Sequence, residues 1–301
     1  MPAAATTMDL ALGTLLLRPY VFGFLAAFVA VASRDVGWRR TLVFAAWAWP
    51  LAWLAEFSST RVGIPFGLYH YTGSTRGQEL FIANVPFMDS LSFAFLAYAA
   101  FCLARVALGG RHVPAPAVAV LAGALMMLLD VVIDPLAVRG DRWFLGRIFY
   151  YPDGGVYFGV PLSNFAGWWV VGTLAVGGYL ALDLMGGLSM PPTLVRRGLT
   201  PPSYSPGPAL GAPRRSRGAP RPPDSFTSSA ARDRYGRQPA GGVALYYAVA
   251  AFNLVVTMWI GEWLLAAVGL ALHGVLAIGL RHVNHTAELR LALGGRGVQR
   301  A

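Results

Sequence analysis

The sequence predicts an all-α protein, a polytopic transmembrane helix bundle of about seven spans. Three observations carry this expectation. Hydrophobic residues make up 56% of the 301 positions and charged residues only 13%, about half the charged share of an ordinary soluble domain. Mean hydropathy is positive, at +0.53. The apolar residues also fall into runs of about 20, the length that crosses a hydrocarbon core. This composition excludes a disordered chain and argues against a soluble globular enzyme.

In chain order the expected spans are Leu10–Ala32, Thr41–Ser58, Phe87–Leu108, Ala115–Asp134, Val160–Leu184, Val243–Ile260 and Glu262–Leu280. The first contains Arg18-Pro19, which leaves its start open. The last two are separated by Gly261 alone, as in a tight hairpin or a single broken helix. No basic segment precedes the first run, so no cleavable signal peptide is expected. The one cysteine, Cys102, excludes an internal disulfide and a cysteine-based zinc site.

The net charge is +10, and every basic residue among the 24 is arginine. These arginines cluster between the apolar runs, which reads as a positive-inside bias and not as a nucleic-acid surface. Arg34, Arg39 and Arg40 follow span one, and Arg105 and Arg111 follow span three. The bias predicts an integral protein of the bacterial cell membrane, with the N-terminus outside and the C-terminus cytoplasmic. Residues 1–184 form a membrane domain with five spans. Residues 185–242 are dense in Pro, Gly, Ser and Arg and are expected to be a disordered cytoplasmic linker. Its arginines suit anionic lipid headgroups. Residues 243–301 hold the last two spans and a basic tail.

Charged residues within spans are costly, so each is a functional candidate. Glu56 ends span two, Asp89 begins span three, and Asp130 and Asp134 end span four. Asn164 begins span five and Glu262 begins span seven. Because successive spans alternate in direction, all of these fall on the same side of the bilayer. Asp89 and Glu262 suit helix N-termini as ordinary caps. Glu56, Asp130 and Asp134 sit at C-terminal ends, where a negative charge opposes the helix dipole. Asp130 and Asp134 are one turn apart and share a face, as do Asn164 and Trp168. Trp49, Trp53 and Glu56 follow a helical stripe. The pattern describes acids at the mouth of an apolar, aromatic-lined pocket.

Two long loops on that side, 59–87 and 135–165, are rich in Gly, Pro and aromatics, and long structured loops often act as lids. His70, between Tyr69 and Tyr71, is a candidate proton carrier. The five histidines are scattered over both sides, and no HExxH, GxSxG, P-loop or DDxxD motif is present, so no metal site is expected.

The strings AEFSSTRVGIPFGLYHYT, VPFMDSLSFAFLAY, LLDVVIDPLAVRGDRWF and YFGVPLSNFAGWWVVG resemble a membrane carotenoid-biosynthesis family. That family includes CruF-type carotenoid 1,2-hydratases and bisanhydrobacterioruberin hydratases. The resemblance covers about residues 41–184. Its motifs fall on Glu56, Asp89, Asp130–Asp134–Pro135 and Pro161–Trp168. It implies cofactor-free addition of water to the terminal C=C of an acyclic carotenoid end group, giving a tertiary alcohol.

The residues suit that chemistry. An unactivated alkene needs a strong acid, and the resulting tertiary cation needs water. A buried carboxyl beside a second one meets the first need. On this reading Asp130 or Asp134 donates the proton, while Glu56, Asp89 and Asn164 orient water. Arg139 or Arg142 holds one carboxylate ionised, and Trp53, Trp168 and Trp169 line the end-group site. The partners expected are a carotenoid drawn from the bilayer, membrane lipid and other carotenoid enzymes. Three further readings remain open: a proton-initiated end-group cyclase or other end modification, a proton-coupled transporter, and a non-catalytic carotenoid-binding subunit.

Overall fold

The computed structural model describes residues 6–108, 113–185 and 239–297. Nearly all of the expected linker 185–242, together with Arg111, therefore lies outside the described residues.

The described chain is mostly helical. It opens with α1 (Thr7–Leu17) and α2 (Pro19–Asp35), followed by α3 (Trp38–Val62). Next come the short strands β1 (His70–Tyr71), β2 (Phe81–Ile82) and β3 (Val85–Pro86), then α4 (Phe87–Ala107) and α5 (Ala115–Ala137). A 3-10 turn at Gly140–Arg142 and β4 (Phe149–Tyr150) lead to α6 (Leu162–Leu184). The remainder is α7 (Ala240–Trp259) and α8 (Trp263–Gly297).

The first expected span is not a single straight helix. α1 and α2 are bent by 87° at Arg18. The residue before a proline is biased away from the helical region, and Arg18 has φ −125° and ψ 45°. Pro19 then occupies the first position of α2, where its missing N–H costs nothing. The last two expected spans are separate helices packed against each other, a hairpin turning at Gly261 with φ +79°.

Helices α4, α5, α6, α7 and α8 are each long and apolar enough to cross a membrane. Counting the bent α1–α2 pair as one span makes six. Helix α3 has the length but falls outside that group. It carries Arg39, Arg40, Glu56 and Arg61, with Pro50 in its interior. Length and composition thus support five or six crossings, one or two fewer than the seven expected.

The core sits around α4, which is buried without a break from Phe93 to Ala104. It touches α2, α3, α5, α6, α7 and α8. A membrane helix buried all round needs small residues where backbones close in, and α4 supplies Ala94, Ala97, Ala99, Ala100 and Ala104. Helix α5 lies tight against α6 at Gly123. A Cβ there would lie 2.3 Å from Thr173 Oγ1 and 2.5 Å from the Trp169 carbonyl oxygen. Gly123→Leu is expected to wedge these helices apart and cost about 1–3 kcal/mol, as overpacking does. A thermal melt of the detergent-purified variant checks this, and an unchanged midpoint would show that the interface can yield.

Candidate active site

Four helix ends converge on one side of the bundle. Helix α3 carries Glu56 two turns before it stops at Gly63, whose left-handed φ of +73° closes the helix. Helix α4 leaves β3 and places Asp89 in its first turn. Helix α5 brings Asp130 and Asp134 just ahead of Pro135. Helix α6 starts after Pro161 and presents Asn164 and then Trp168. The alternation of helix direction read from the sequence is what gathers them.

The carboxyls form two groups. Asp130 is wholly buried. Its Oδ2 accepts from Asn164 Nδ2 at 2.6 Å, while its Oδ1 has no hydrogen-bond partner. Asp134 lies beside it, close enough for the two side chains to interact. Asp134 Oδ2 accepts from Trp168 Nε1 at 3.3 Å. In the second group, Glu56 accepts a hydrogen bond from the Ser90 hydroxyl. The Tyr71 side chain lies against both Glu56 and Asp89. Asp134 is within electrostatic reach of both Glu56 and Asp89, so the two groups form one site.

The two aromatic loops cover this end as a joined structure. β1 pairs antiparallel with β4, matching His70 to Tyr150 and Tyr71 to Phe149. The Thr72 N–H donates to the Ile148 carbonyl at 2.8 Å, extending the seam. The loops thereby bring Tyr69, Tyr71 and Tyr151 over the acids. Burial, then the neighbouring Glu56 carboxyl, pushes the Tyr69 and Tyr71 phenols well above the usual tyrosine range. Burial, then Asp134, does the same to Tyr151. All three phenols therefore keep their protons, and the Tyr69 and Tyr71 hydroxyls lie 3.5 Å apart.

Beneath the loops is a cleft with about 960 Å³ of non-atom space, part of it open to the surroundings. Glu56, Asp89, Asp134 and Asn164 reach its wall. Asp130 stands behind them. Phe93 and Trp168 stack in the wall at 4.5 Å and 21°, with Phe66 6.2 Å from Trp168. Ring faces of this kind attract positive charge.

Other candidates lie elsewhere. Trp53 stacks on Phe57, and its Nε1 donates to the Ile82 carbonyl, away from the cleft. Trp169 is exposed, with Nε1 bonded to the Val120 carbonyl. His70 is exposed on β1 and packs edge-on to Tyr150. Arg139 and Arg142 both pair with Glu262 at the start of α8, and the first of these contacts is 2.8 Å. These arginines clamp the loop after α5 to the α7–α8 turn, and the structure gives them no contact with Asp130 or Asp134.

The sequence reading missed Phe66, Phe93, Ser90 and Tyr151. Phe66 and Tyr151 stand in the aromatic loops already singled out. Ser90 and Phe93 carry no signal of their own. The reading also passed over Arg18 as a partner. Arg18 Nη2 donates to Glu79 Oε1 at 2.9 Å and Nη1 to the Leu145 carbonyl at 3.3 Å, with both side chains buried.

A family model described as "Carotenoid biosynthesis protein" matches residues 15–185, more than half of the chain. The chain belongs to this family. The matched stretch holds Glu56, Asp89, Asp130, Asp134 and Asn164. A bisanhydrobacterioruberin hydratase from Haloarcula japonica is 34% identical over 121 residues, which span 40% of this chain and 38% of the relative. The chain thus covers well under half of that relative's length. No solved structure matches. This member of the carotenoid biosynthesis family is therefore a membrane-helix protein related to a hydratase.

Proposed function

We propose that the protein hydrates the terminal 1,2 C=C of an acyclic carotenoid end group, lycopene- or γ-carotene-like, by acid catalysis without a cofactor. The observation that carries this reading is the pairing of acids in an aromatic cleft. Asp134 reaches the wall with Asp130 buried behind it, and Glu56 and Asp89 stand within electrostatic reach.

The steps follow from these positions. Two adjacent carboxyls in a low-dielectric site do not both ionise readily, so the pair holds a proton between them. Asp134, the member that reaches the cleft, delivers it to C2 of the end group. The π electrons form the new C–H bond and leave a tertiary cation at C1. The faces of Phe93 and Trp168 stabilise that cation. Water held by Glu56, Asp89 and the Tyr71 hydroxyl adds to C1, and its extra proton passes to a carboxylate. The net change is one water added, and the acid is restored by proton return through the same cluster. The substrate arrives from the bilayer, since a long polyene hydrocarbon has no useful concentration in water. The arginine bias of the loops supports an acid end at the outer leaflet.

Full-length protein expressed in a lycopene-accumulating host tests the reading. The expected pigment gains one water per reacted end group by mass. An isomer of unchanged mass would instead assign end-group cyclisation, and unaltered lycopene would remove the enzymatic reading. Tyr71→Phe removes a water-positioning donor and is expected to slow hydration about 10-fold, the energy of one ordinary hydrogen bond. Initial rates in isolated membranes check it, and a wild-type rate would exclude Tyr71 from positioning water.

A further inference from the structure

One oxygen of Asp130 is left over. Asn164 Nδ2 holds Oδ2 at 2.6 Å, while Oδ1 is buried and has no hydrogen-bond partner among the described residues. A second buried orphan stands near it, the hydroxyl of Tyr157. The Tyr157 ring packs edge-on to Phe165, the residue after Asn164, with centroids 5.3 Å apart. Its side chain is within electrostatic reach of Asp130. Neither Asp130 nor Tyr157 lines the cleft, and both stand behind the acid wall.

A tight turn fixes Tyr157 in place. Its N–H donates to the Val160 carbonyl at 3.2 Å, and its carbonyl accepts from the Val160 N–H at 2.9 Å. Arg139 Nη1 donates to the Phe158 carbonyl at 2.7 Å and to the Pro135 carbonyl at 2.8 Å. The turn is thereby tied to the end of α5 that carries the acids. Its other side reaches the surface, where Asp153, Val156 and Gly159 are exposed. Burial, then the Asp130 carboxyl, pushes the Tyr157 phenol up from the usual tyrosine range, so the hydroxyl keeps its proton.

We infer that Asp130 Oδ1 and the Tyr157 hydroxyl frame a water site, and that this site is the port through which the acid pair exchanges protons with the aqueous side. Two buried, unpartnered polar atoms are costly, and a water bonded to both relieves the cost. The ligand must donate and accept at once and carry no negative charge beside two carboxyls, which describes water. The inference rests on the hydration reading only for the use made of the proton. On that reading the pair gives one proton to C2, and the added water releases one on the Glu56 and Asp89 side. With product filling the cleft, the port refills the pair from behind. The proton left on the cleft side is released when product departs, so the balance closes.

Hydrogen–deuterium exchange at the Asp130 carboxyl tests the port. Membranes holding the full-length protein are moved from ordinary to heavy water, and the infrared C=O band that Asp130→Asn removes is followed in time. Tyr157→Phe keeps the ring against Phe165 and loses only the hydroxyl. It is expected to slow exchange at least about tenfold, the loss of one hydrogen bond from the chain. Tyr150→Phe, on β4 and outside the path, is expected to exchange at the wild-type rate. Unslowed exchange in Tyr157→Phe would overturn the inference, as would equal slowing by Tyr150→Phe or the lack of any band sensitive to Asp130→Asn. Slowed exchange in a protein whose wild type never adds water would uphold the port and defeat the hydration reading alone.

Discussion

Asp134→Asn is expected to reduce hydrated product by at least about 100-fold, because general acid catalysis contributes roughly 100- to 10,000-fold and the other wall carboxyls, Glu56 and Asp89, are taken up with the water on this reading. Asparagine has nearly the shape of aspartate. Its amide oxygen can still accept from Trp168 Nε1, which now lies 3.3 Å from the carboxyl. The stacked pair Phe93–Trp168 therefore has no reason to move, and the variant is expected to accumulate in the membrane at wild-type level. What it lacks is a transferable proton. Asp130→Asn makes a useful contrast. Asp130 is fully buried behind the wall and bonded to Asn164, so it acts through Asp134 and its loss is expected to alter the pH profile along with the rate. Hydrated product formed at wild-type rate by Asp134→Asn would remove this residue from the proton-donating role.

The second large effect concerns stability. Arg18→Met is expected to cost about 3–5 kcal/mol, because removing one partner of a buried ion pair strands the other charge. Both side chains are nearly inaccessible, at 2% and 0% exposure. The pair does more than satisfy two charges. It joins the bend between α1 and α2 to the loop carrying Glu79, and the Leu145 carbonyl ties in the second loop. Tyr20, two residues on, lines the cleft, so the clasp also holds one edge of the site. The double change Arg18→Met with Glu79→Leu removes both charges and is expected to recover most of the loss, as buried pairs replaced by apolar residues often do. Thermal unfolding of the four proteins gives the coupling energy by a double-mutant cycle. A single-variant cost below about 1 kcal/mol would mean that solvent or lipid headgroups reach the pair.

How much of the site was legible depends on what kind of information each residue needs. Glu56, Asp89, Asp134 and Asn164 were legible because only their position along a span mattered. Trp53 and Trp169 were assigned to the end-group site on helical spacing, yet they bond the Ile82 and Val120 carbonyls outside the cleft. Spacing places residues on one face of a helix and does not say which way that face turns. Arg139 was assigned to an acid close in sequence and found Glu262 instead, across more than 100 residues. Likewise, the pairing of β1 with β4 rests on backbone hydrogen bonds between two loops, for which neither loop carries a local signal.

The amino-acid sequence by itself determined that this chain is helical and membrane-embedded, and that its acids gather at one end. Those properties follow from composition and from the direction of successive helices, both readable along a line. Only the tertiary structure decided the 87° break at Arg18, the closure of the two loops over the acids, and the entry of α7 into the cleft wall. The physical reason is that a helix apolar on every side shows no preferred face, so its rotation and its neighbours are set by close packing and by hydrogen bonds between distant segments.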